Sequence, residues 1–144
     1  MTKPPDPFPS PAEREQAEAV QLYRLAAEQG VAGAQCRLGV MYAEGRGVAR
    51  DDAEAVRWFR LAAGQGDAEA QGGLGFAYGA GRGVEQDFVA SYMWLTLAIA
   101  TLTGVTQHGA TKFRDTIAAA MTSAQITEAQ RLAREWIPIS DAST

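Results

Sequence analysis

The chain has 144 residues but only one cysteine, Cys36, and one histidine, His108. A single thiol rules out an intrachain disulfide, so packing alone must hold the fold. One histidine rules out a multi-histidine metal site and leaves any Ser–His catalysis to that residue alone. No apolar run approaches the 18 or so residues that a membrane span needs. The formal net charge is −4 and the pI about 5.0, with lysines and arginines scattered singly. The basic face on which nucleic-acid binding rests is therefore missing. Residues 1–11 have no apolar stretch of the kind found in a secretory signal. If Met1 is the native start, the expected location is the cytoplasm; it is the periplasm if a signal has been removed.

What the chain has is a period. Sliding it by 36 lays residues 20–55 on 56–91 with 18 identities in 36 positions. They include Arg24/Arg60, Ala27/Ala63, Gly30/Gly66, Gln35/Gln71, Leu38/Leu74, Tyr42/Tyr78 and the four-residue string Gly45–Val48 on Gly81–Val84. Self-similarity at this length marks a repeat architecture. Beyond it, Trp58 maps to Trp94 and Leu61 to Leu97, but Ala70 finds its best partner at Ala110, a step of 40. About four inserted residues are therefore expected near Thr101–Thr106.

Each unit reads as two helices. Ala34, Leu38, Met41 and Tyr42 share one helix face, and Gly45 suits the left-handed residue that ends a helix. Asp51 then opens a second helix, whose stripe is Ala55, Phe59, Ala62 and Ala63. Gly66 stops it, and Asp67 can cap the next. Ser10-Pro11-Ala12-Glu13 and Thr122-Ser123-Ala124-Gln125 are further helix starts, and Pro138 is a stop. The expected helices are 11–29, 32–44, 51–65, 67–80, 87–102, 108–121 and 123–137. Five of the six prolines lie in residues 1–11, which makes 1–10 an extended, disordered leader.

The string Ala-x-Ala-Gln-x-x-Leu-Gly-x-x-Tyr-x-x-Gly-x-Gly-Val, then Asp, then Ala-x-x-Trp-Phe/Tyr-x-x-Ala-Ala-x-x-Gly, resembles the Sel-one-like repeat. It stands at 32–66 and again, ending irregularly, at 68–102. The resemblance implies an all-α, α/α superhelix: a half repeat at 11–30, repeats at 31–66 and 67–102, closing helices at 107–137 and a tail at 138–144. It also implies a non-catalytic adaptor that binds a protein or peptide, needs no cofactor and is a monomer or weak dimer. The alternatives are an oligomerisation or regulatory module of a larger assembly, or a hydrolase or penicillin-binding protein of the family's cysteine-rich branch. The last is a poor match, because Cys36 has no partner and its repeat counterpart is Gly72.

Local chemistry adds no catalytic grouping. Cys36 lies within a helix with no histidine three or four residues away. Gly45-x-Gly47 and Gly81-x-Gly83 follow helices and lack the Lys-Ser/Thr of a phosphate loop, so they read as tight turns. His108 reads as a surface residue. A partner is expected on the concave wall formed by the first helix of each unit. Its stripe is Gly33, Cys36, Val40 and Glu44, then Glu69, Gly72, Phe76 and Ala80. Across the insertion it continues with Gly109, Lys112, Thr116 and Ala120. Phe76 is the one large anchor. Gly75 and Gly73 fit a close helix crossing, whereas Gly72 and Gly79 are expected to keep the groove shallow.

Overall fold

The computed structural model describes residues 2–139, and all that follows concerns these residues. They form seven helices and no strand: α1 (Pro11–Glu28), α2 (Ala32–Glu44), α3 (Asp52–Gly64), α4 (Ala68–Ala80), α5 (Phe88–Thr101), α6 (Gly104–Ala118) and α7 (Ser123–Glu135). Consecutive helices pack on one another from α1 to α6, giving the helical repeat solenoid. The first helices α2, α4 and α6 touch along one side. Of the expected tail, 140–144 lie outside the described residues.

Five of the seven starts are fixed by side-chain caps on helix N–H groups, and α2 and α6 have none. The side chains of Asp51, Asp67 and Asp87 accept from the N–H groups of Glu54, Ala70 and Ala90. Ser10 with Glu13 and Thr122 with Gln125 form reciprocal capping boxes. Repeat-related polar contacts stitch the units. Gln35 donates to the Ala27 carbonyl and Gln71 to the Ala63 carbonyl, so each buried glutamine covers the open end of the preceding helix. The core holds Leu38, Leu74 and Leu95 with almost no exposure, each stabilising the fold by about 1.5–3 kcal/mol.

The glycine turns have a structural cause. Gly47 and Gly83 have positive φ, and a Cβ on either would collide with a backbone carbonyl, that of Gln16 or Asp52 respectively. The two contacts are one repeat apart, so the Gly-x-Gly turn seats each hairpin on the start of the preceding second helix.

The expected insertion is absent. α2, α4 and α6 begin at residues 32, 68 and 104, so the period of 36 persists. Arg24 donates to the Tyr42 hydroxyl and Arg60 to the Tyr78 hydroxyl; at the same positions one repeat on, Arg114 donates to Thr96, with donor and acceptor exchanged between helices. The sequence hides this register because Leu102 and Thr103 replace the glycine stop and aspartate cap of the previous unit. α6 consequently starts at Gly104, four residues before its expected start.

α7 departs as well. It packs along α5, with Trp136 edge-on to Trp94 at 6.1 Å. It ends at Glu135, two residues early, and the chain then turns back until the N–H of Ile139 donates to the Gly64 carbonyl.

Candidate functional site

On α4 the helix spacing places Glu69, Gly72 and Phe76 on one side, away from the buried Leu74 and Gly75. Gly75 is buried because Leu95 of α5 occupies the space of a side chain: a Cβ there would lie 2.8 Å from Leu95 Cγ. α5 is thus drawn against α4, and its Leu95, with Leu102 just past its end, supplies the floor between α4 and α6. From α6 come Thr106, Gly109, Ala110 and Phe113, and from α2 comes Val40. The result is an open, largely apolar groove of about 450 Å³, within the range of small-ligand and side-chain pockets.

The two walls match rung by rung. Glu69/Thr106, Gly72/Gly109 and Phe76/Phe113 are each separated by the same 37 residues, and all six line the groove. The last rung is an aromatic pair with ring centroids 5.0 Å apart, tilted by 42°. Phe76 nonetheless keeps 44% of its surface exposed, an incompletely covered apolar anchor. Glu69 is the one charged residue in the lining, and it takes part in no ion pair among the described residues.

Val40, Glu69, Gly72, Phe76 and Gly109, all expected on the inner stripe, come together here. The others do not line the groove. Cys36 is only 3% exposed, with its Sγ 3.9 Å from a Glu69 carboxylate oxygen. Burial, and next the Asp67 carboxylate, push its thiol up to about 12. That makes it a poor nucleophile and removes it from the binding surface. Gly33 is exposed outside the lining, and Glu44 is engaged by Arg46 at 2.8 Å. Ala80, Lys112, Thr116 and Ala120 are exposed outside the lining. Lys112 and Thr116 stand one period of 36 after Phe76 and Ala80, yet α6 presents to the groove the row one residue further on, Thr106, Gly109 and Phe113.

Leu95, Leu102, Thr106, Ala110 and Phe113 were not expected in the site. The available signal was the substitution of Leu102 for the repeat's glycine, which points an apolar side chain at the groove. Gly79 is also explained otherwise than expected. A Cβ there would come within 2.8 Å of Phe113 Cε1 and Ser91 Oγ, so packing requires the glycine. Gly72 differs, since a Cβ would meet only Ala98 and Leu102 at 3.9–4.0 Å, ordinary contact distance. His108 is exposed, and no group of three potential metal ligands occurs among the described residues. No helix among them is long and apolar enough to cross a membrane.

The model of the Sel1 repeat matches residues 10–31, 32–67 and 68–100. Two solved structures are similar. One is a protective antigen present in uropathogenic Escherichia coli strains displaying an SLR fold (34% identity, TM-score 0.79). It is matched over 87% of this chain and 26% of its own. The other is a Sel1 repeat protein from Oxalobacter formigenes (27% identity, TM-score 0.59), matched over 86% of this chain and 59% of its own. The chain therefore spans about a quarter of the first and somewhat over half of the second. No curated protein matches.

Proposed function

The chain belongs to the Sel1 repeat family, whose members are generally non-catalytic protein-interaction scaffolds, and on that premise we propose that it binds a peptide or partner helix in the groove between α4 and α6. The observation that supports this most is the half-exposed Phe76, set against Phe113 at the head of an open apolar groove. Binding interfaces are commonly organised around such an anchor, with small neighbours that let a partner backbone approach. Gly72 and Gly109 are those neighbours.

The test is a selection of displayed peptides against the purified protein, followed by affinity measurements on a Phe76→Glu variant. A charge placed in an apolar groove must be desolvated whenever a ligand enters. Affinity is expected to fall at least tenfold, with helical circular dichroism unchanged and Tm within a few degrees. Selected peptides that bind the variant as tightly as the parent protein would exclude the groove.

A further inference from the structure

We infer that the groove prefers an extended peptide segment with a basic side chain about 10 Å from an apolar anchor; this rests on the groove being the binding site. The distance comes from the helix itself. Glu69 and Phe76 are seven residues apart on α4, and at 1.5 Å per residue that is about 10 Å along the wall. On the facing wall Thr106 and Phe113 have the same spacing, so the groove has an acidic end and an aromatic end. Its sole lining charge is a carboxylate with no ion-pair partner among the described residues. Lys112, beside Phe113 in sequence, lies outside the lining and forms no ion pair with Glu69.

An extended chain of the polyproline II type advances about 3.1 Å per residue with three residues per turn, so side chains i and i+3 of a bound segment project to the same side about 9 Å apart, close to that spacing. The small rung Gly72/Gly109 lets a ligand backbone come close, which suits an extended segment better than a helix about 10–12 Å across. The ligand class is thus an apolar residue and a Lys or Arg three positions apart. The chain's net charge of −4 would speed its approach.

Fluorescence anisotropy with blocked eight-residue peptides tests this. Each carries Leu and Lys three positions apart in a Gly-Ser background, in both orders, with Glu replacing Lys as the control. For a rim ion pair the Lys peptides should bind about two- to fivefold tighter than the Glu peptides. Glu69→Lys should invert that order, and 0.5 M salt should erase it. Equal affinity for Lys and Glu peptides, a preference that survives Glu69→Lys, or no binding of any peptide at millimolar concentration would overturn the inference. Phe76→Glu separates the two readings. Weak binding by that variant, together with no Lys preference in the parent, removes only the charge selectivity. Unchanged binding by that variant removes the groove itself. If deleting residues 2–10 both raises peptide affinity and abolishes a concentration-dependent dimer, the occupant is the leader of a second copy, with its Lys3 and Phe8, and the inference falls.

Discussion

The block from α2 to α5 and the end formed by α6 and α7 are built on the same period, yet only in the first are the two helices of each hairpin interlocked. Within the block, each second helix drives a large side chain into a glycine of its first helix. A Cβ on Gly39 would lie 2.8 Å from the Phe59 ring, and one on Gly75 would lie 2.8 Å from Leu95. One repeat further, the glycine is Thr111 and the large side chain is Arg131. Arg131 pairs instead with Glu128 and Glu135, both at 2.6 Å, on an exposed surface. Lock and key are lost together, and α7 settles on α5 rather than on α6. The groove opens where the interlocking stops. In this chain, then, the period builds the scaffold, and the groove lies beside the hairpin in which the lock is missing.

The sharpest way to break the comparison is to insert the same methyl group at the two ends. Gly83→Ala must accommodate both a positive φ and a collision with the Asp52 carbonyl. It should destabilise by about 3 kcal/mol or more, a fall of about 10 °C in Tm. Gly104 also has positive φ, but its surroundings are open. Gly104→Ala should cost only about 1 kcal/mol. Equal losses in paired thermal melts would mean that the turn contact at Asp52 is not what holds the hairpin.

A second pair sits on one helix. Gly75→Ala should cost about 1–3 kcal/mol, because Leu95 must move. Gly72→Ala should instead stabilise by up to about 1 kcal/mol, since alanine favours the helix and its methyl finds ordinary contacts. The same methyl narrows the groove, so peptide affinity should fall as stability rises. Urea titration and anisotropy on both variants check the two signs.

A last effect, absent near neutral pH, concerns the interlocked block alone. The Cys36 thiol keeps its proton up to about 12 in the folded chain, against an ordinary 9.0. Between those values the unfolded chain has lost that proton and the folded chain has not, so stability should fall as pH rises from 9 towards 12. Below pH 9 the thiol should contribute no pH dependence. Comparison of urea midpoints with a Cys36→Ala variant isolates it, and a slope shared by both proteins would assign the effect elsewhere. At pH 8, iodoacetamide should react with the folded protein far more slowly than with the unfolded chain.

Much of this fold could be read from the residues because the period writes every signal twice. Asp51 and Asp87, Gly45 and Gly81, and Leu38 and Leu74 mark the same boundaries and the same core in both units. The reading failed where those signals were replaced. Leu102 and Thr103 are neither a glycine stop nor an acidic cap, and the alanine match between residues 70 and 110 then suggested an insertion that the helix starts exclude. One wall of the groove, Glu69, Gly72 and Phe76, follows from spacing on a single helix. The facing wall depends on how α6 is turned against α4, one residue away from the repeat register, which neither the period nor helical spacing contains. Cys36 was misplaced for a similar reason: it belongs to the inner row of α2 by spacing, but Glu69 and Asp67 of the next unit close over it.

Amide hydrogen exchange, with and without the Leu/Lys peptide bound, tests most directly whether the interrupted end is the binding surface. Added peptide should slow exchange in segments 69–76 and 106–113 and leave α1 and α7 unchanged. Slowing confined to α1, α7 or the convex side, with the two groove segments unaffected, would contradict it.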